Sequence, residues 1–247
     1  HRYLEQKSDI KTYFLGSLLS GGGSAPDTNN PRSWVRMYNE YQDFALDTRL
    51  AIPLIYGIDA VHGHNNVYGA TIFPHNIGLG CSNDEELVQK ISEATAREVR
   101  ATGLDWTFAP CLAVSQDERW GRTFESYSED TDIVDRLGIA SIKGYQGNNL
   151  ESPNSVLACA KHYVGDGSTI FGTGINGGID RGDVLVDEIE LRSRYIKPFR
   201  SAVENGVGSI MISYNSWQSK RLHGHSYLIN DILKKELGFS GFVVSDW

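Results

Sequence analysis

An aspartate and a tryptophan, Asp246 and Trp247, follow an apolar run at residues 242–244, with one serine between them and the run. The run predicts a parallel strand that is buried on both faces. Asp246 would then lie at the C-terminal end of this strand, where barrel and open α/β enzymes place their chemistry. A carboxylate can attack or stabilise an anomeric carbon, and an indole can pack against a pyranose ring. The pair therefore predicts a sugar site.

Polar side chains also follow the other predicted strands or lie in the loop after one of them. They are Asp59, Arg119, Arg122, Lys161, His162 and Tyr214. Any one of them alone is more often a solvated or ion-paired residue, but in a barrel all of them would converge on one pocket. Asp59 could accept hydrogen bonds from two sugar hydroxyls, and Arg122 and Lys161 could donate to others. These two cations would also stabilise the ionised form of Asp246 that a nucleophile requires.

The elements that must position these residues alternate along the chain between apolar strands and amphipathic helices. Strands are predicted at 16–19, 54–59, 105–109, 156–164, 209–214 and 241–246, and helices at 33–48, 84–101, 129–146, 188–205 and 226–237. Such alternation predicts an α/β fold with a parallel sheet and right-handed crossovers.

Two architectures fit this alternation: a doubly wound sheet, and a TIM (β/α)8-type barrel that is incomplete in this chain. The clustering of polar residues after nearly every strand favours the barrel. Residues 1–247 would then form a partial catalytic barrel domain with about six strands, and at least one strand would be missing at each end.

A proline inside one predicted helix and an acidic stretch before another predict local details of the fold. Pro198 lies inside the fourth helix and is expected to kink it. The acidic stretch that contains Glu125, Glu129 and Asp130 is expected to structure a loop and cap the third helix, although Glu125 could instead face the site.

Composition narrows the classes of partner. The 247 residues are 40% hydrophobic and 22% charged, and the formal net charge is −8. This charge argues against nucleic acid and against an anionic membrane surface, and favours a neutral or cationic small ligand. No apolar run approaches the roughly 18 residues of a membrane span.

The three cysteines, Cys81, Cys111 and Cys159, are too few and too widely spaced for a disulfide framework, and are expected to be small buried residues.

The histidines raise a metal hypothesis, because metal-dependent amidohydrolase barrels also use a His-x-His pair. His62 and His64, however, lie three and five residues beyond the predicted strand, which favours hydroxyl binding or loop support over metal ligation.

The glycine pattern at 172–177 matches a dinucleotide fingerprint but does not connect a strand to a helix, so the match is interpreted as accidental. Neither a metal nor a cofactor is predicted.

Six motifs together resemble glycoside hydrolase family 3, in its exo-β-D-glucan glucohydrolase and β-glucosidase branch. They are YGIDAVHG at 56–63, ATIFPHN at 70–76, RWGRTFESYSED at 119–130, KHYVGDG at 161–167, MISY at 211–214 and VSDW at 244–247. They occur in the order of the family and cover nearly the whole chain.

The resemblance implies a retaining reaction in which Asp246 is the nucleophile. The non-reducing glucosyl unit would be bound by Asp59, Arg122, Lys161 and His162, with Tyr214 near the nucleophile and Trp247 as one wall of a sugar clamp. The implied function is the release of glucose from β-glucans or β-glucosides through a covalent glycosyl-aspartate. Secreted, periplasmic and vacuolar locations are all compatible with the resemblance.

Two departures from the family pattern refine this expectation. The general acid/base of this branch is a glutamate on a second, C-terminal domain, which is expected to be a partner from the same parent protein and to be absent from this chain. Asp166 stands where the N-acetylglucosaminidase branch has a histidine, which excludes that branch. An amidohydrolase-type barrel and a non-catalytic glucan-binding domain remain the alternatives.

Overall fold

A computed structural model describes residues 4–20 and 24–247. The strands of this part of the chain are β1 Ser17–Ser20, β2 Ile55–Ile58, β3 Trp106–Thr107, β4 Cys159–Tyr163, β5 Asp183–Val184, β6 Ser209–Ile212, β7 Ser216–Trp217, β8 Lys220–Arg221 and β9 Phe242–Ser245.

The α-helices are α1 Asp9–Thr12, α2 Pro31–Leu46, α3 Asn76–Ser82, α4 Glu85–Ala101, α5 Thr131–Gln146, α6 Glu188–Glu190 and α7 Lys197–Glu204. Wider π-helical segments span Leu191–Ile196 and Tyr227–Glu236, and 3₁₀ turns span Thr123–Glu125, Ile175–Gly177 and Leu222–Gly224.

Each of the six predicted strands and five predicted helices has a counterpart, with ends shifted by a few residues. The fourth predicted helix runs without a break through α6, the π-helical segment and α7. Pro198 lies in the first turn of α7, directly after the π-helical segment. Because proline lacks an N–H and crowds the preceding turn, the helix is distorted at the expected place. The sequence analysis did not anticipate α1, α3 or the short strands β5, β7 and β8.

The six predicted strands are parallel and follow one another in chain order. They form the sheets β1-β2-β3 and β4-β6-β9, while β5, β7 and β8 form a third sheet. Backbone bonds connect β3 to β4, with Thr107 N donating to Leu157 O and Cys159 N to Ala109 O, each at 2.9 Å. In the described part of the chain β1 and β9 each have one neighbour, so this α/β domain does not close into a barrel.

The last strand is less buried than its apolar sequence predicted. Phe242 is 40% exposed, and Val243 and Val244 are only half-buried. The reason is that β9 pairs with β6 along one edge and has no strand along the other in the described residues. Its parallel orientation is confirmed, but its burial on both faces was wrong.

Close backbone approach packs the helices α4 and α5 together. A Cβ at Gly144 of α5 would lie 2.4 Å from the carbonyl oxygen of Gln89 in α4. Beside this contact, the hydroxyls of Ser92 and Ser141 lie 2.9 Å apart. None of the helices in the described ranges is long and apolar enough to cross a membrane.

The cysteines are all free, and two of them are buried as expected. Burial raises the pKa of both the Cys111 and the Cys159 thiol to about 12. Cys81 is exposed, so the expectation of burial was wrong there. It lies near the end of α3, on a turn whose neighbouring positions 82–87 are also exposed.

Helix α3 supports the turn that follows the third predicted strand. The amide of Asn76 donates to the carbonyl oxygen of Glu125 at 2.8 Å. A Cβ at Gly80 would lie 1.7 Å from the carbonyl oxygen of Tyr127, so only glycine allows this approach. The turn Thr123–Glu125 is therefore fixed by its packing on α3.

Substitution of Gly80 by alanine should destabilise the protein by about 1–3 kcal/mol, because the added methyl group pushes the Tyr127 backbone away. Gly78→Ala in the same helix is the matched control, since its Cβ would meet only the Pro74 side chain at 3.3 Å. Denaturant unfolding of both variants checks this. Equal stability of the two variants would contradict the proposed packing constraint.

Candidate active site

A cleft of about 280 Å³ opens at the C-terminal ends of β6 and β9, near the lower size limit of small-molecule sites. Asp246 and Trp247 directly follow β9, and Tyr214 follows β6. The cleft is lined by Gly121, Arg122, Asp166, Asp180, Arg181, Ser213, Tyr214, Asn215, Asp246 and Trp247.

The carboxylate of Asp246 lies beside a guanidinium. Its Oδ2 is 3.8 Å from Nη1 of Arg122, and its side chain is 19% exposed. The backbone N–H of Asp246 donates to the carbonyl oxygen of Ile212 at 3.1 Å, which extends the pairing of β9 with β6. The sheet therefore fixes the backbone from which this carboxylate reaches the cleft.

Arg122 has three different partners. Its Nε and Nη2 donate to the two carboxylate oxygens of Glu125 at 2.7 and 2.9 Å, and Nη2 also donates to Nε2 of His162 at 2.8 Å. Asp246 is the third partner. A bidentate pair with a carboxylate fixes the plane of a guanidinium as well as its position.

The charge of Glu125 is set by this pairing. Burial alone would raise the pKa of Glu125, but the Arg122 hydrogen bonds and the nearby Lys161 charge outweigh burial and lower it to about 2. Burial would likewise lower the pKa of Arg122, yet Glu125 raises it above its ordinary value. Both groups are therefore ionised at neutral pH.

Glu125 thus belongs to the site, whereas the expected helix cap comes from Asp130. The Asp130 carboxylate accepts hydrogen bonds from the backbone N–H groups of Asp132 and Ile133 at the start of α5. The sequence analysis left both roles open for Glu125.

His162 connects Arg122 to a further carboxylate. It is 1% exposed, and its Nδ1 lies 2.7 Å from Oδ2 of Asp166. The oxygen lies away from the direction of a well-aligned hydrogen bond, so the contact is mainly electrostatic in this geometry. Asp166 itself lines the cleft.

Lys161 pairs with Asp59. Its Nζ lies 3.4 Å from Oδ1 of Asp59, and its side chain is almost fully buried while that of Asp59 is about one-third exposed. The pairing of β4 with β6 shifts register between Lys161 and Tyr163. Such a bulge re-aims side chains, which allows the consecutive residues Lys161 and His162 both to contact charged partners.

Two aromatic side chains line the cleft with part of their surface open. Tyr214 is 36% exposed, with the Arg181 guanidinium 4.8 Å from its ring and the His223 ring against it edge-on at 4.7 Å. Trp247 is 46% exposed and packs edge-on against Phe108 at 5.1 Å.

The structure therefore brings four of the eight candidate residues into one cleft: Arg122, Tyr214, Asp246 and Trp247. His162 joins them through Arg122, while Lys161 and Asp59 form a separate pair that does not line this cleft. Arg119, which was grouped with them, instead pairs with Asp117 and lies 4.2 Å over the Phe171 ring.

Sequence reasoning missed the role of Asp166 and of the loop that contains Asp180 and Arg181. Asp166 was used only to exclude a family branch, although its position four residues after His162 was a usable signal. For Arg181, which lines the cleft and stacks on Tyr214, the sequence contains no such signal.

The His-x-His pair has separate structural contacts. Nδ1 of His62 lies 3.0 Å from the carbonyl oxygen of Phe73, and Nε2 of His64 lies 2.9 Å from the Thr102 hydroxyl. Burial lowers the pKa of His64 to about 4. These contacts agree with loop support, and residues 4–20 and 24–247 contain no cluster of three or more His, Cys, Asp or Glu side chains suited to a metal ion.

A parallel α/β arrangement whose strand ends and loops bring a carboxylate, a guanidinium and an indole into one small cleft is typical of a carbohydrate-active domain. Residues 2–247 match the model of the glycosyl hydrolase family 3 N-terminal domain, so the chain belongs to this family.

Relatives and solved structures of this family cover nearly the whole chain. The lysosomal beta glucosidase of Dictyostelium discoideum is 33% identical over 96% of this chain, and the beta-xylosidase of Formosa agariphila is 40% identical over 83%. The crystal structure of an exo-1,3/1,4-beta-glucanase from a Pseudoalteromonas species superposes with a TM-score of 0.91 and 47% identity over 99% of the chain. This chain spans 30%, 29% and 31%, respectively, of those three proteins.

The pairing of Glu125 with Arg122 predicts a specific pH dependence of stability. Because the folded pKa of Glu125, about 2, lies below its ordinary value of 4.5, its ionised form stabilises the fold above about pH 4.5. This contribution, on the order of 3 kcal/mol, is lost as the pH falls from 4.5 towards 2.

Glu125→Gln should therefore be less stable than the wild type at pH 7, and the difference should shrink as the pH approaches 2. Urea unfolding at several pH values measures it. Glu151→Gln, at an exposed glutamate, is the matched control and should show no such trend. A constant difference between Glu125→Gln and the wild type across this range would show that the charge of Glu125 is not what stabilises the fold.

Proposed function

We propose that this chain is the nucleophile-bearing part of a retaining, exo-acting glycoside hydrolase that releases glucose from the non-reducing ends of β-glucans or β-glucosides. The observation that carries the proposal is the carboxylate of Asp246, 3.8 Å from Arg122 in a cleft that Trp247 also lines. The names of the β-glucosidase and exo-β-glucanase relatives support glucose as the released sugar.

The fold we propose is a partial (β/α)8-type barrel. Six parallel strands follow in chain order, whereas a doubly wound sheet reverses its order at a switch point. Asp59, Arg122, Tyr214, Asp246 and Trp247 lie beyond the C-terminal ends of these strands, which is the catalytic face of such barrels, and Lys161 and His162 lie within β4.

In the proposed reaction, an oxygen of Asp246 attacks the anomeric carbon while the bond to the leaving-group oxygen breaks, and that oxygen takes up a proton from a general acid. Water then attacks the same carbon of the glycosyl-aspartate and gives up a proton to the conjugate base of that general acid. The bond from the carbon to the Asp246 oxygen breaks, and glucose leaves with net retention. The guanidinium of Arg122, 3.8 Å from Asp246, orients the carboxylate before attack. The hydroxyls of the glucosyl unit are assigned to Asp59, Arg122, Lys161 and His162, and Tyr214 is assigned a place beside the nucleophile.

The general acid/base is assigned to a second, C-terminal domain of the same parent protein. Glu125 is unsuited to the role, because both of its oxygens accept bonds from Arg122 and its pKa of about 2 leaves no proton to donate at neutral pH. This chain spans about 30% of the length of its relatives, and the rest of a protein of that length could contain such a domain.

Treatment of the parent enzyme with a 2-fluoro-β-glucoside should attach one glycosyl group to Asp246, because the fluorine slows hydrolysis of the covalent intermediate. Mass spectrometry of the intact protein and of its peptides measures the label. Asp246→Asn should remain unlabelled and lose roughly a thousandfold or more in kcat.

A label on any other carboxylate would refute the assignment of the nucleophile. If the parent enzyme binds glucose equally well with and without Asp246→Asn and shows no turnover, the chain is a non-catalytic glucan-binding domain instead.

Trp247→Ala should raise KM for β-glucosides by about 5- to 30-fold, the equivalent of 1–2 kcal/mol, because the sugar loses one wall of its site. Little change in kcat is expected, since the indole would bind substrate and transition state alike. Trp247→Phe, which keeps an aromatic face, is the matched variant and should show a smaller rise. Steady-state kinetics of the parent enzyme provides the measurement, and an unchanged KM in Trp247→Ala would exclude the indole as a sugar wall.

A further inference from the structure

We infer that Asp166 is a positioning residue, which sets the tautomer of His162 and, through it, the position of Arg122 beside Asp246. The inference deepens the proposed function and rests on it, because its consequence is measured as attack by Asp246. Three successive contacts support it: Asp166 with His162, His162 with Arg122, and Arg122 with Asp246.

The contact between Arg122 and His162 fixes which imidazole nitrogen carries the proton. A guanidinium has N–H donors and no acceptor, so Nε2 of His162, 2.8 Å from Nη2 of Arg122, must present its lone pair. The proton of the neutral ring then belongs on Nδ1.

Nδ1 of His162 lies beside the carboxylate of Asp166. The two atoms are 2.7 Å apart, and His162 is 1% exposed, so solvent cannot readily take the place of this carboxylate. A negative charge at that distance favours a proton on Nδ1 and thereby keeps the Nε2 lone pair free for Arg122.

The turn around Asp166 is built rigidly. Gly165 and Gly167, which flank it, have φ values of +82° and +84°, in the region that favours glycine. A Cβ at Gly167 would also lie 2.8 Å from the ring of Trp120, which is 1% exposed. The carboxylate of Asp166 is therefore presented from a fixed backbone.

Arg122 depends on this arrangement because its position is set by three partners. Glu125 fixes the plane of the guanidinium, His162 accepts from Nη2, and Asp246 lies 3.8 Å from Nη1. With the wrong tautomer, an N–H of His162 would point at an N–H of Arg122. The guanidinium would then turn or shift relative to the nucleophile.

The test uses the parent enzyme and the rate of glycosyl labelling of Asp246 by a 2-fluoro-β-glucoside. Asp166→Ala should slow labelling about 10-fold or more, since it removes the group that selects the tautomer. Asp166→Asn, which keeps the size of the side chain but removes its negative charge, should slow labelling by a similar factor, because the contact with Nδ1 is mainly electrostatic. Asp231→Ala removes an exposed aspartate that pairs with Lys235, and as the matched control it should label at the wild-type rate.

A double-mutant cycle separates positioning from direct contact with the sugar, since Asp166 also lines the cleft. Glutamine at position 162 can offer Arg122 an acceptor without a choice of tautomer. In a His162→Gln background, Asp166→Ala should therefore change the labelling rate less than twofold. An equal loss in both backgrounds would overturn the inference and make Asp166 a direct substrate ligand.

Failure of this inference is distinguishable from failure of the proposed function. If the wild-type parent enzyme is not labelled at Asp246, the proposed function fails. If it is labelled and Asp166→Ala is labelled at the same rate, only the role of Asp166 is refuted. Should Asp166→Ala not fold, Asp166→Ser, whose hydroxyl is too short to reach Nδ1, replaces it in the cycle.

Discussion

The permanent positive charge of Arg122 must be balanced within a partly buried site, and the arrangement of the site depends on how this is done. Burial of an unpaired charge is costly, and Glu125 neutralises it through both carboxylate oxygens. Asp246 is then a second carboxylate near a cation that already has a counter-charge. It is close enough to be oriented, at 3.8 Å, without the tight bidentate pairing that would occupy both of its oxygens.

Several distant segments converge to produce this geometry. Helix α3 fixes the turn after Arg122, through Asn76 and the close approach at Gly80. The irregular pairing of β4 with β6 turns Lys161 and His162 toward charged partners. The β6–β9 ladder continues into the backbone of Asp246. The proposed sugar site is in this way formed by residues of loops and turns, whose backbones are held by the sheets and by α3.

Alternation of apolar and amphipathic segments was enough to predict the six parallel strands and the helices between them, because both patterns are local. Strand ends then indicated where Arg122, Tyr214, Asp246 and Trp247 would meet. The exposure of β9 was not predictable, since it depends on which strand lies beside it. The same holds for the partners of Glu125 and Asp166: a carboxylate's role depends on which cation or imidazole the fold brings within 3 Å, and residue type does not reveal it.

Within residues 4–20 and 24–247, one edge of β9 has no paired strand, and the same strand exposes Phe242. The amide hydrogens and carbonyl oxygens of such an edge form a template for a further strand. A strand added there would cover the aromatic ring and would support, from its second side, the backbone that leads to Asp246.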